Sequence, residues 1–215
     1  MAGEFEKRNA AIAAMEFVED GMTLGLGTGS TAKHFVELLA DKVAGGLTVQ
    51  GVPTSAQTQT LAEALGVPLL PVDQVELIKG GGAALLREKI IANASDHMVV
   101  IADSSKHVEQ LGAFALPVEV TPFGFTITAK EVLDSLIRSG VANPDIVLRR
   151  GDGGEPTITD GGNYILDCQC GVIPDAPATA SALAGVPGVV EHGLFIGLAR
   201  TVIIGRQDDA TVFQY

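Results

Sequence analysis

The chain has little of what would make it a disulfide scaffold, a membrane protein or a nucleic-acid binder. Only two of its 215 residues are cysteine, Cys168 and Cys170. Two apart on a strand-like run, they point to one face and are poorly placed to bridge each other. They read as half-buried thiols, because the companion ligands that a metal site needs are missing. Long hydrophobic runs are missing too. The charge-free stretch at residues 176 to 190 is shorter than a bilayer span and contains Pro177 and Pro187. Near the start, Glu4, Glu6, Lys7 and Arg8 stand with no apolar stretch behind a basic opening, which argues against a secretory signal, and the expected location is the cytoplasm. Positive charge is scarce, with 14 Lys and Arg against 26 Asp and Glu and a net charge of -12. Such a chain repels nucleic acid and anionic lipid, so neither is an expected partner. Any anionic ligand must be held by a local cluster of donors. A small phosphorylated metabolite meets that condition.

What is present is a globular core and two glycine loops. Hydrophobic residues make up 47% of the chain, enough for one good core or one core with a smaller appended domain. The first loop is Thr23-Leu24-Gly25-Leu26-Gly27-Thr28-Gly29-Ser30-Thr31-Ala32-Lys33-His34-Phe35, which reads as strand, tight loop and helix. Its glycines open dihedrals closed to other residues, and its hydroxyls lie beside the free N–H groups of a helix start, a geometry that binds phosphate. It is neither a dinucleotide fingerprint nor a P-loop, since Ser30 stands where each pattern needs its next glycine. The competing reading is an ordinary strand-to-helix turn capped by Ser30 or Thr31.

The second loop, Lys79-Gly80-Gly81-Gly82, opens another helix with a lysine in front of it. Two such loops in one domain favour a phosphorylated ligand. In the helix that follows, Ala83, Leu86, Ile90 and Ala94 are expected to form the apolar stripe, with Arg87 near its centre and Glu88 at its margin. Spacing alone does not choose between that pair as a catalytic residue. Lys7 falls on the apolar stripe of a helix expected over residues 4 to 19, where it either snorkels or points its charge into a site. Lys106 follows a strand that ends in Asp103-Ser104-Ser105, and is either a solvated loop lysine or part of the same site.

Strands and helices alternate through the first half, which predicts a parallel sheet covered on both faces, with ligands bound beyond the carboxyl ends of the strands. From Leu116 the text changes to strand-helix-strand twice over, the pattern of a small split βαβ domain. Residues 194 to 199 and 201 to 204 then return to apolar strand-like text. The expected organisation is a Rossmann-like domain over 1–113 and 194–215, interrupted by a ferredoxin-like domain over 114–193.

With Gly27-Thr28-Gly29-Ser30-Thr31-Ala32, then Lys79-Gly80-Gly81-Gly82-Ala83 followed by Arg87-Glu88-Lys89, then Ala102-Asp103-Ser104-Ser105-Lys106, then Leu116-Pro117-Val118-Glu119-Val120 in order, the chain resembles type A ribose-5-phosphate isomerase. The resemblance runs nearly end to end and includes Asn163-Tyr164-Ile165-Leu166-Asp167 and Pro187-Gly188-Val189-Val190. It implies an α/β fold, a Rossmann-like catalytic domain with an inserted ferredoxin-like α+β lid, a homodimer or homotetramer, and no metal or organic cofactor. The implied reaction interconverts ribose 5-phosphate and ribulose 5-phosphate through an enediolate, in the pentose phosphate pathway. On this resemblance Glu88 is the general base, a carboxylate whose pKa a place beside apolar neighbours would raise. Lys79 stabilises the enediolate. Substrate is held by Lys7, Thr28, Gly29, Ser30, Thr31, Lys79, Gly80, Gly81, Gly82 and Lys106.

The chain departs from the family between Leu70 and Lys79. There the family carries an extra strand and an Asp-Gly-Ala-Asp motif, whereas only eight residues, from Pro71 to Ile78, fill the interval here. Asp73 and Glu76 do not offer the paired geometry of a preorganised strand end. Loss of a strand would also leave its neighbours' backbone groups unpaired. The expectation is therefore that the intact protein carries a longer segment, which a measured mass of 22.2 kDa would overturn. Two other classes remain: a non-catalytic sugar-phosphate binding protein of the same fold, and the sensing domain of a sugar-responsive repressor. The acidic charge and the lack of an appended DNA-binding segment disfavour the latter.

Overall fold

A computed structural model describes residues 2–70 and 84–215. The chain divides into two compact units, Met1–His107 with Gly197–Tyr215, and Val108–Ile196. Residues 108 to 113 and 194 to 196, assigned above to the first domain, fall in the second unit. The reason is local. Ile173 donates its amide to the Leu111 carbonyl at 2.8 Å, the Gln110 amide reaches the Ile173 carbonyl at 2.7 Å, and Leu194 is buried in the second unit's core.

The first unit begins with α1 (Ala2–Ala14), whose small residues Ala10, Ala11 and Ala14 are buried and let the helix lie close to its neighbours. Next come β1 (Thr23–Leu26), α2 (Ser30–Ala44), β2 (Gln50–Pro53), α3 (Ala56–Ala64), α4 (Leu85–Ala94) and β3 (Met98–Asp103). Strand β1 pairs with β2 in parallel, Thr23 opposite Gln50. Leu26, Val36, Leu39, Val49, Ala62 and Val67 close one core over that pair. Each large aliphatic side chain so buried is worth about 1.5–3 kcal/mol.

The chain returns to this unit after the second one, as β8 (Ala199–Gly205) and β9 (Ala210–Gln214). Strand β8 pairs in parallel with β3 and antiparallel with β9, so the described strands of this unit form two groups, one of them mixed. Residues 194 to 198, expected to be strand-like, lie outside any strand, and β9 is an element the sequence reading did not assign. Helix α1 packs on β3 and β8. At Gly205 the approach is so close that a Cβ would lie 1.7 Å from the Glu6 carbonyl oxygen. That contact seats the N-terminal helix, and with it Lys7, on the sheet.

The second unit contains β4 (Leu116–Val120), α5 (Phe125–Arg138), β5 (Asp145–Leu148), β6 (Tyr164–Gln169), α6 (Ala176–Ala184) and β7 (Val189–His192). Its four strands are antiparallel in the order β5-β6-β4-β7, and the two helices cross between them in the βαββαβ sequence of a ferredoxin-like sheet. Val118, Val120, Val132, Leu136, Leu166 and Leu183 make its core. Cys168 and Cys170 are fully rather than half buried there, and desolvation raises both thiols above their ordinary value.

Candidate functional site

Strand β1 ends where its alternation gives way to Gly27-Thr28-Gly29, and the chain enters α2 directly. Gly29 is the N-cap residue, at φ 120° and ψ 170°, and no side chain caps the helix. Neither Ser30 nor Thr31 caps the turn, as the competing sequence reading allowed. Both are helical residues, Ser30 exposed and Thr31 half-buried. A φ in this range is strained for any L side chain, which explains glycine at this position. The first amides of α2 therefore have no capping side chain, with the positive end of the helix dipole behind them. This is a place for an anion.

Thr28 differs from its neighbours. Only 7% exposed, it sends its hydroxyl inward to Ser55 Oγ at 2.7 Å, with Thr54 Oγ1 at 3.1 Å and Thr58 Oγ1 at 3.2 Å. Its side chain supports the loop from beneath, leaving only backbone groups at this position to meet a ligand. None of Thr54, Ser55 and Thr58 is among the residues singled out from the sequence. The run of hydroxyls at Thr54, Ser55 and Thr58, just after the end of β2 and into α3, was the available signal.

Two predicted cations meet around a third strand end. Lys7 on α1 bonds Glu4 Oε1 at 2.6 Å, and its ammonium is held above its ordinary value chiefly by that bond, with Asp103 contributing. Glu4 also faces His34 Nε2 at 3.1 Å, which links Lys7 to the second turn of α2. Lys106 is exposed on a short turn after β3. Burial alone would raise the Asp103 carboxyl. The Ser105 hydroxyl and amide, with the Lys106 charge, outweigh it and leave Asp103 below its ordinary value. Glu6 fixes this turn to α1 by accepting from the Ser104 amide at 3.0 Å and the Ser104 hydroxyl at 2.7 Å. Neither Glu6 nor Asp103 was singled out from sequence, because the spacing of a helix and a distant strand end does not reveal their contact.

Glu88 lies in the first turn of α4 and is 2% exposed. The stripe expected from spacing is wrong by one step around the helix. The buried face is Leu85, Glu88, Ile91 and Ala92, whereas Ile90 is 56% exposed and Arg87 is exposed. Glu88 therefore sits at the centre of the buried face rather than at its margin. Packing overrode the apolar periodicity, and the carboxylate is the residue turned inward. Lys79, Gly80, Gly81 and Gly82 lie outside the described residues. Among the described residues no three of His, Cys, Asp and Glu converge as metal ligands.

Comparison with known proteins gives a consistent family. The model of the family "Ribose 5-phosphate isomerase A (phosphoriboisomerase A)" matches residues 50–209. The chain is 55% identical to a ribose-5-phosphate isomerase A of Maricaulis maris, covering 97% of each. It is 51% identical to that of Rhodopseudomonas palustris strain BisB18, covering 100% of this chain and 99% of the relative. That alignment runs over 231 positions against the 215 residues of this chain, so 16 positions have no counterpart here. Among solved structures, it is similar to a D-ribose-5-phosphate isomerase in complex with phospho-erythronic acid, at TM-score 0.91 and 33% identity over 100% of both chains. It is also similar to ribose 5-phosphate isomerase A from Methanocaldococcus jannaschii, at TM-score 0.89 and 31% identity over 99% of both.

Proposed function

The chain belongs to the ribose 5-phosphate isomerase A family and is an isomerase of ribose 5-phosphate, and we propose that Glu88 is the base that moves its proton. Aldose-to-ketose conversion moves the C2 proton of the open-chain sugar to C1 through an enediolate, while the O2 hydroxyl gives up a proton and O1 gains one. Glu88 takes the proton from C2 and supplies it to C1, while Lys79 compensates the charge that develops on the oxygens. The observation that carries this reading is the burial of Glu88, a carboxylate turned inward on the first turn of α4, nine residues after Lys79. Removed from bulk water, a carboxylate becomes a more effective base for carbon acids.

The amides of residues 29–31, together with Lys7 and Lys106, supply the donors that an acidic chain needs to hold a sugar phosphate. Thr28 takes part through its backbone, and Gly80, Gly81 and Gly82 supply further amides. No metal or organic cofactor enters this scheme. The protein acts in the cytoplasm, in the pentose phosphate pathway, as a homodimer or homotetramer, which light scattering would check.

A coupled assay for ribulose 5-phosphate tests the activity, and Glu88→Gln tests the residue. We expect kcat to fall about 10³-fold while the affinity for ribose 5-phosphate stays within about threefold. Undiminished turnover would remove Glu88 from the mechanism. Binding without turnover in the unaltered chain would favour the non-catalytic alternative, for which the comparisons give no support. The 16 alignment positions without a counterpart fit a segment lost from within the family's length, and an intact mass of 22.2 kDa would establish the short form as the real one.

A further inference from the structure

We propose that the hydroxyls of Ser55 and Thr58, seconded by Thr54, are positioning groups that set the backbone of the first substrate loop, acting through Thr28. Four hydroxyl side chains from two parallel strand ends are buried together: Thr28 at 7%, Thr54 at 0%, Ser55 at 8% and Thr58 at 5% exposed. Their bonds form a directed chain. Thr28 donates to Ser55 Oγ at 2.7 Å, Ser55 donates to Thr58 Oγ1 at 3.1 Å, and Thr58 donates to the Gly27 carbonyl at 3.0 Å. The chain thus leaves the loop at Thr28 and returns to it one residue earlier. Thr54 adds a bond to the Leu26 carbonyl at 3.0 Å.

The consequence lies in the peptide planes. A trans peptide holds its C=O and the next N–H antiparallel. Pinning the Leu26 and Gly27 carbonyls towards α3 therefore turns the amides of Gly27 and Thr28 the opposite way. The Leu26 carbonyl is also held by the Thr54 amide at 3.1 Å, but Gly27 has no Cβ to restrict it, so the plane between Gly27 and Thr28 takes its anchor from the Thr58 hydroxyl. Capping of α3 does not account for the arrangement. The cap needs only Ser55, which accepts from the Thr58 amide at 3.2 Å. A valine would fill the site of Thr58 at lower desolvation cost, because each buried hydroxyl must be compensated.

This inference rests on residues 28–31 forming the substrate loop, and the test separates its failure from failure of the isomerase reading. The variant is Thr58→Val, which keeps shape and removes the donor to Gly27. Ribose 5-phosphate affinity is measured by calorimetry, with KM and kcat alongside. We expect affinity to fall and KM to rise about tenfold, the scale of one lost buried hydrogen bond, with kcat within about twofold. Thr58→Ser should restore both. Thr60→Val on the same helix, whose hydroxyl is exposed and bonds Ala56 in its own helix, should leave KM unchanged.

If Thr58→Val does not fold, Thr58→Ala, which removes the same donor to Gly27, is read the same way. Turnover with unchanged KM in a folded Thr58→Val or Thr58→Ala protein overturns the proposal and leaves the isomerase reading intact. Wild-type binding without turnover overturns the isomerase reading, while a tenfold weaker binding in Thr58→Val still supports this one. Absence of ribose 5-phosphate binding by the wild type overturns both.

Discussion

Strands β1 and β2 run side by side in parallel and each leads straight into a helix, yet the two helix starts are built on opposite terms. At α3 the first turn is closed: Ser55 caps it, and every neighbouring hydroxyl is buried and bonded. At α2 the first turn is open: Gly29 occupies the cap position in a left-handed conformation and no side chain answers the amides. A third strand end, after β3, resembles the closed type, because Asp103 accepts from the Ser105 amide at 3.1 Å. The difference shows which helix start leaves its first amides without a capping side chain. Two starts are answered by side chains, and the hydroxyls of the α3 start also hold the loop that leads into the open one.

Three substitutions would break or sharpen that contrast. The largest effect is expected at Gly29. An alanine there carries about 1–3 kcal/mol of backbone strain, relieved only by a shift of the loop backbone, so Gly29→Ala should raise the KM for ribose 5-phosphate by more than about tenfold. A KM within twofold of wild type would mean that α2 does not hold the phosphate. Ser55→Ala should cost about 1 kcal/mol of stability through the lost cap, visible as a lower Tm. An unchanged Tm would show that the closed start does not depend on its cap.

The smallest effect concerns Asp103. Its folded carboxyl titrates below the ordinary 3.8, so its contribution to stability is complete above that pH and is lost as the pH falls through the lower folded value. Between pH 6 and pH 3 the Tm of Asp103→Asn should decline less steeply than that of the wild type. Parallel curves would show that Asp103 does not gain from its Ser105 bonds.

Much of this architecture was legible in the sequence. Glycines beside hydroxyls at the end of an apolar run announced the open start, and alternating strands and helices announced the parallel pairs. Strand-helix-strand text from Leu116 announced the ferredoxin-like unit, since its apolar alternation is local. What was not legible depended on contacts between distant segments. The burial of Glu88 ran against the apolar stripe of α4, because a helix turns towards whatever covers it rather than towards its most regular hydrophobic row. The bonds of Thr58 were hidden because its partners Gly27 and Thr28 lie in the loop after β1, about thirty residues earlier. The same holds for Glu6, which reaches Ser104 only once α1 has settled on Gly205.

By itself, the sequence determined where the backbone must bend, which segments alternate, and that an anionic ligand would need local donors in a chain of net charge -12. These are properties of neighbouring residues and of totals, fixed by sterics and charge before any folding. Tertiary structure alone decided that Thr28 faces inward, that the charge of Lys7 on α1 acts on Asp103, and that a glutamate rather than Ile90 occupies the buried face of α4. Each of these is a choice of partner, and partners far apart in sequence are selected only when the chain packs.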